Sequence, residues 1–338
     1  MAAIFVDPKR LNLQVSSSKI VNEEVEGLIR VYKNGHVERP PAIPNVPCDH
    51  VALELGVTGK DVFIDKYKNL WARIYVPKYC SAKLPFLVYF HGGGFCIGSA
   101  AWSCYHEFLA NLASKAACVI MSVNYRLAPE NRLPAAYEDG ISSLMWVKQQ
   151  ALSGSNEHNW WIKQCNFSSM FLSGDSAGAN IAYHVTTRLM ESNDNYKPLC
   201  LKGNILIQPF VGGEARSGSE KHSNQPPNSA LTLSAYDTYW RLSLPLGANR
   251  DHPWCNPLAN GAPKLQEAGT CMMVCISEMD ILKDRNLNFC NALATAGKRV
   301  EKVVYKGVGH AFQLLHNSQF SQIRTQEMMS HLKAFINQ

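Results

Sequence analysis

Residues 170–190 read Met170-Phe171-Leu172-Ser173-Gly174-Asp175-Ser176-Ala177-Gly178-Ala179-Asn180 and continue IAYHVTTRLM. The run MFLS predicts a buried strand, and Ala177–Met190 predicts a helix. So few residues separate the two that the chain must turn sharply, which strains Ser176 and lifts its Oγ above the sheet edge. Bulky side chains at 174 and 178 would collide with neighbouring elements, and both positions are glycine. The helix that opens here leaves its first N–H groups without intrahelical acceptors, that of Ala177 among them.

On both sides of this stretch, apolar strand runs alternate with helical ones. Pro85–Phe90 (PFLVYF), Cys118–Asn124 (CVIMSVN), Gly203–Gln208 (GNILIQ), Cys271–Ile276 and Val300–Tyr305 predict strands. Residues 104–117, 135–150, 283–296 and 320–336 predict helices, with Trp146 and Val147 inward in the second. This rhythm predicts an α/β fold, a mostly parallel central sheet with helices on both faces. Residues 61–76 hold two further strands, DVFIDK and LWARIYVP. Upstream, Val21, Val25, Leu28, Ile29 and Tyr32 recur at helical spacing and predict a helix over 20–35, followed by a proline-rich linker over 36–50. Residues 212–262 interrupt the rhythm with Gly, Ser, Asn and Pro around an aromatic helical patch, Tyr236-Asp237-Thr238-Tyr239-Trp240. An insertion this long is not expected to be a bare loop. The expectation is a single domain over 1–338, with a helical lid formed by about 1–45 and 212–250.

His91-Gly92-Gly93-Gly94-Phe95 follows the PFLVYF strand directly. Three successive glycines let the backbone take positive φ and turn N–H groups toward a substrate oxygen. Neither G-x-G-x-x-G nor a P-loop Lys-Ser/Thr accompanies them, which argues against a phosphate cradle. The amides of Gly93, Gly94 and Ala177 are the candidate oxyanion donors. A serine alcohol attacks poorly at neutral pH and needs a base, which needs an orienting acid. Two late strands end in such groups. Glu278-Met279-Asp280-Ile281-Leu282-Lys283-Asp284 follows CMMVCIS, and His310-Ala311-Phe312 follows VEKVVYKGVG. His310 is the candidate base and Asp280 the candidate acid, with Glu278 and then Asp284 as rivals. Among the other histidines, His91 is expected to orient the glycine loop, His184 to lie behind Ser176, and His316 to sit on a surface turn. Trp102, Tyr105, Phe210, Tyr236, Tyr239, Trp240 and Leu314 are candidate pocket residues, with ordinary core as the alternative for each. Asn249-Arg250-Asp251-His252 reads as a structural turn joining the insertion to the core. Tyr125, Arg126 and Glu130 read as packing and ion-pair residues.

Gly-x-Ser-x-Gly between a strand and a helix, followed by an acid and then a histidine at strand ends, is the nucleophile-elbow order of α/β-hydrolases, and HGGG is a form of their oxyanion loop. With them stand YRLAPE (Tyr125–Glu130), LPAAYEDG (Leu133–Gly140), GDSAGANIAYH (Gly174–His184), SLPLGANRDHPWCNP (Ser243–Pro257), DILKDR (Asp280–Arg285) and GVGHAF (Gly307–Phe312). From about residue 25 to its end the chain resembles the plant carboxylesterases, in the hormone-sensitive-lipase-like branch of that superfamily. The resemblance implies an α/β-hydrolase fold under a lid and a serine carboxylesterase acting on small to medium acyl esters through an acyl-enzyme. It implies no cofactor and no metal. The same branch holds the gibberellin receptors, which lack the triad histidine, and carboxylesterase-like cyclases that run eliminations. His310 favours turnover over binding alone, and elimination remains the alternative chemistry.

Composition narrows the remaining classes. Lys+Arg exceed Asp+Glu by 33 − 27 = 6, charged residues are 18% and the apolar set is 46%, which excludes a disordered chain. No Lys/Arg run exceeds two residues, so no basic stripe for nucleic acid is expected. Eleven cysteines occur at irregular spacing without a CxxC pair, which gives no zinc pattern. Several lie inside apolar runs (Cys118, Cys271, Cys275), as expected of reduced thiols in the cytoplasm. No stretch approaches the ~18 apolar residues of a membrane span, and the N-terminus lacks the apolar core of a secretory signal. The expected partner is a small-molecule ester, and the sequence carries no signal for an oligomeric state.

Overall fold

The computed structural model describes residues 20–338 apart from 49–54, 79–81, 155, 193–194, 223–224, 226–228, 268, 270 and 317. The chain divides between Ala42 and Ile43 into two compact units. The described part of the first is an antiparallel meander of β1 (Val21–Val25), β2 (Ile29–Tyr32) and β3 (Val37–Glu38). The helix expected over 20–35 is therefore corrected to strands, and the expected lid receives no helix from residues 20–42. Residues 1–19 of that lid lie outside the described residues. Gly27 and Gly35 have φ of +70° and +83°, so the chain turns at both, and the β-branched residues between them pair as strands. Val25, Ile29 and Val31 are buried, while Glu24 and Arg30 stand opposite one another and form an ion pair at 2.6 Å.

In the second unit the strands are β4 (Val57–Asp65), β5 (Leu70–Pro77), β6 (Leu84–Phe90), β7 (Val119–Asn124), β8 (Cys165–Asp175), β9 (Leu201–Ile207), β10 (Cys271–Ser277) and β11 (Arg299–Tyr305). The helices are α1 (Ser103–Ala116), α2 (Ala135–Ser153), α3 (Asn159–Ile162), α4 (Ala177–Glu191), α5 (Gly218–Lys221), α6 (Leu233–Ser243), α7 (Lys283–Thr295), α8 (Phe312–Leu315) and α9 (Gln319–Ile336). The eight strands form one sheet in the order β11-β10-β9-β8-β6-β7-β5-β4. Strands β6 to β11 run parallel, and β5 and β4 complete one edge antiparallel. The predicted α/β architecture is the observed one. The inner parallel strands are apolar on both faces because helices cover both, whereas the edge strand β11 leaves Arg299, Lys302 and Val304 exposed. On one, Leu109 and Leu112 of α1 and Leu332 and Phe335 of α9 pack with Leu87, Ile120 and Phe171. On the other lie α4 and α2, with Ile181, Val185, Leu144 and Val147 buried; Trp146 is only half-buried. No helix among the described residues is long and apolar enough to cross a membrane.

The strand order itself creates the site. From β6 the chain moves to β7 on one side, then returns to place β8 on the other side of β6 and continues outward through β9, β10 and β11. The loops after β6 and β8 therefore leave adjacent strand ends in opposite directions, and crevices open at such reversals.

The insertion after β9 carries α5 and α6 and is firmly tied down. Ser219 donates its N–H to Asp284 Oδ2 (2.6 Å) and its hydroxyl to the Ile281 carbonyl (2.7 Å). Arg285 pairs with Glu220 at 2.9 Å. Arg250 bonds Glu214 at 3.2 Å and Asp237 at 2.8 Å, so the Asn249–His252 segment is a structural turn. Arg126 likewise grips the buried Asp139 at 2.8 Å.

Candidate active site

Ser176 stands alone between β8 and α4, with φ 52° and ψ −118°, a conformation that costs a non-glycine residue energy and persists only where its surroundings hold it. Its N–H donates to the Ile207 carbonyl (2.8 Å), and its carbonyl accepts the N–H of Phe210 (3.0 Å). A Cβ on Gly178 would lie 2.5 Å from the Phe90 carbonyl carbon and closer still to its oxygen, and one on Gly174 would lie 2.6 Å from that oxygen. Backbone cannot move aside as a side chain can, so both positions exclude larger residues.

His310 meets Ser176 from the loop after β11. Its Nε2 lies 3.0 Å from Ser176 Oγ, and its Nδ1 lies 2.6 Å from Asp280 Oδ2. Asp280 Oδ1 also accepts the N–H of Leu282 (3.1 Å), which fixes the carboxylate plane. Because a carboxylate only accepts, the imidazole proton belongs on Nδ1, which leaves the Nε2 lone pair facing the serine hydroxyl. Ser176 is 5% and His310 7% exposed, so bulk water screens the pair weakly. Burial pushes the His310 pKa down, but the Asp280 charge and hydrogen bond, with a further contribution from Asp175, carry it above its ordinary value. The two rivals point elsewhere. Glu278 is exposed and accepts the N–H of Gly307 (2.9 Å), and Asp284 holds Ser219.

Gly93 and Gly94 have φ of +103° and +58°. Among the described residues neither their N–H groups nor that of Ala177 has an acceptor. Three free donors therefore lie on the loop after β6 and at the start of α4, on either side of the reversal. Gly92 is different: its N–H is taken by the Tyr105 hydroxyl (2.8 Å) and Asp175 Oδ1 (3.0 Å). Asp175, to which sequence reasoning gave no role, also accepts the hydroxyls of Tyr89 (2.8 Å) and Tyr105 (3.1 Å). Its carboxylate thus anchors the base of the glycine loop. Burial pushes its pKa up to about 6, against the opposing hydrogen bonds from Tyr89 and Tyr105. The available signal was a carboxylate at the buried end of a strand, which needs donors to exist there.

His91 lies within the glycine loop's fold, with Nδ1 2.8 Å from the Gly92 carbonyl and its ring stacked on Tyr125 at 4.3 Å. Burial pushes its pKa down to about 4. His184 is stacked on Tyr137 at 4.7 Å and is pushed down by burial to about 3. Both are packing residues, neutral at pH 7. His316 is exposed at the end of α8.

The candidate pocket residues separate into groups. Phe210, Tyr236 and Trp240 are wholly buried and pack together, with Phe210 stacked on Trp240 at 4.6 Å. Tyr239 lies against Gly94: a Cβ there would fall 2.5 Å from Tyr239 Cδ2. Tyr105 supports the glycine loop from behind. Trp102 and Leu314 are half-buried at the margin of the core.

A strained serine, a histidine–carboxylate pair and three free amides thus come together at the reversal of a parallel sheet. Residues 87–314 match the family described as alpha/beta hydrolase fold. The chain is 50% identical over 321 residues to Probable carboxylesterase 6 of Arabidopsis thaliana, covering 94% of this chain and 92% of that protein. It is 35% identical over 310 residues to 2-hydroxyisoflavanone dehydratase of Glycyrrhiza echinata, covering 89% and 92%. The solved esterase of Pyrobaculum calidifontis, 24% identical, superposes with a TM-score of 0.67 over 84% of this chain and 89% of that one, a likeness of fold. The chain belongs to the α/β-hydrolase family, within its plant carboxylesterase group.

Proposed function

We propose that the chain hydrolyses small to medium carboxylic esters through an acyl-enzyme formed on Ser176. The observation that carries this reading is the 3.0 Å approach of His310 Nε2 to Ser176 Oγ, with Asp280 2.6 Å from the far side of the ring. Ser176 Oγ attacks the ester carbonyl as its proton passes to His310 Nε2. The carbonyl oxygen takes up negative charge and is bound by the N–H groups of Gly93, Gly94 and Ala177. Each such donor contributes about 3 kcal/mol to the transition state. Asp280 stabilises the imidazolium, which then gives its proton to the departing alkoxide. Water enters and attacks the acyl carbon as His310 takes one of its protons, and the carboxylic acid leaves, ionising in solvent, as that proton passes to Ser176 Oγ.

The insertion over 212–250 acts in this reading as a cap, with Tyr239 bounding the oxyanion loop. The reaction uses no cofactor or metal, since every proton and electron pair it needs is held by these residues and water. The buried thiols of Cys118, Cys165 and Cys275 support a reducing, cytoplasmic setting. A dehydratase among the relatives favours elimination as a second reading, in which His310 would remove a proton from the carbon beside a C–OH group, a C=C bond forming as the C–O bond breaks, and return that proton so that the hydroxyl leaves as water, without an acyl-enzyme.

The test is Ser176→Ala. Loss of p-nitrophenyl ester turnover and of organophosphate labelling is expected, and hydrolysis that persists in this variant rejects the reading. Recovery of free acid and alcohol in equal amounts from the wild type separates hydrolysis from elimination.

A further inference from the structure

Directly after β9 lies Gln208, a buried carboxamide that no part of the proposed mechanism uses. Its N–H donates to the Cys275 carbonyl in β10 at 2.8 Å, its φ is +48°, and its exposure is 0%. Its Oε1 accepts the N–H of Ala311 at 2.7 Å, and its Nε2 donates to Ser277 Oγ at 2.7 Å and Gln313 Oε1 at 3.2 Å. Ala311 is the residue after His310. Ser277 ends β10, and its carbonyl lies 3.4 Å from the N–H of Asp280. A single side chain thus reaches from a neighbouring strand to both loops that carry the acid and the base.

The loop needs such a hold. Ala311 has φ 56°, a left-handed conformation that an alanine resists. Among the described residues Gln208 Oε1 is the acceptor of the Ala311 N–H, and that bond secures the peptide joining His310 to it. The two ends of the amide are used in opposite senses, oxygen as acceptor and nitrogen as donor. A carboxylate at this position would lack the donor, and an apolar side chain would lack both.

We infer that Gln208 is a positioning residue of the reaction: its carboxamide locks the His310–Ala311 backbone against β10, so that Nε2 stays within hydrogen-bond reach of Ser176 Oγ. The inference rests on the catalytic reading proposed above. A misplacement of about 1 Å in a reacting group lowers a rate by roughly 10²-fold, which sets the size of effect expected.

The experiment is Gln208→Met, which preserves length and removes both hydrogen-bonding ends. Active sites are counted by organophosphate titration, and the rate of acylation per titrated site is measured with p-nitrophenyl acetate. The expected result is a full complement of titratable sites whose acylation rate has fallen by about 10- to 100-fold, with KM for the ester little changed. A per-site rate equal to wild type, whether all the sites survive or only some, overturns the inference, because a purely structural residue would change only the number of folded sites. If Gln208→Met does not fold, Ser277→Ala with Gln313→Leu removes the two acceptors that orient Nε2. A fall of about tenfold in the per-site rate is then expected, and a wild-type rate overturns the inference. Ser176→Ala is run alongside: turnover retained there rejects the catalytic reading itself, a result distinct from an active enzyme indifferent to position 208.

Discussion

Gly94 is the point where the proposed oxyanion loop meets the insertion, and Gly94→Ala tests that contact. The added Cβ would lie 2.5 Å from Tyr239 Cδ2 and 2.7 Å from Tyr239 Cβ, and closer still to Cγ. Carbon atoms in contact settle about 3.5–4.0 Å apart, so one side must retreat by roughly 1 Å. Tyr239 is 3% exposed and sits inside α6, which leaves the loop as the part that yields. The backbone at φ +58° adds about 1–2 kcal/mol against alanine. Displacement of the loop takes the N–H groups of Gly93 and Gly94 out of line together. With about 3 kcal/mol for one donor, kcat should fall by roughly 10²- to 10³-fold, and KM should change far less. The assay is steady-state hydrolysis of p-nitrophenyl butyrate, with a thermal melt to verify folding. Tyr239→Ala in the same chain removes the ring and leaves only its Cβ in the way, so the double variant should recover about tenfold of the loss. A Gly94→Ala enzyme within threefold of wild type, or a double variant no faster than the single one, would refute the assignment of this loop as the oxyanion site.

Acid should switch the enzyme off. Protonated His310 cannot take the serine proton, so kcat/KM rises with pH through the His310 pKa, and that midpoint should lie above the ordinary histidine value of 6.5. Asp280→Asn removes the charge that raises it, so the limb should move to lower pH while the plateau falls by about 10³- to 10⁴-fold; an unmoved limb in an active variant argues against Asp280 as the partner. Arg285 is 16% exposed and its partner Glu220 0%. Arg285→Met leaves that carboxylate buried without its ion-pair partner, although it still accepts the Ser217 N–H at 2.9 Å, and should destabilise the fold by about 3 kcal/mol, read as a lower thermal midpoint. A melt unchanged from wild type would mean that the insertion is not held by this pair.

In the central segment, local sequence was enough. The Gly174–Gly178 turn is marked locally by the glycines on either side of Ser176, although part of what they make room for is the distant Phe90 carbonyl, and the strands around it are apolar on both faces because helices cover both. Those patterns survive in one dimension, so the α/β fold, the serine and the order of the later strand ends were all legible. At the N-terminus the same kind of pattern misled. Val21, Val25, Leu28, Ile29 and Tyr32 suit a helix stripe, but they also suit a hairpin folded at Gly27, and β-branched side chains together with positive φ at Gly27 and Gly35 favour the hairpin.

Asp280 and Glu278 show where linear reading stopped. They are two carboxylates two residues apart on one irregular loop, told apart by direction: one turns inward to His310, the other outward to the Gly307 N–H. The carboxylate of Asp175 was likewise visible as a letter but not as the anchor of Gly92. Gln208 had no local signal, since its partners lie 69, 103 and 105 residues further along the chain. Sequence by itself determined which elements form and which chemistry they could carry, because periodicity and turn sterics act over a few residues. Only the folded chain decided which polar atoms face one another, because hydrogen bonds act over about 3 Å and strand packing alone brings such distant residues that close.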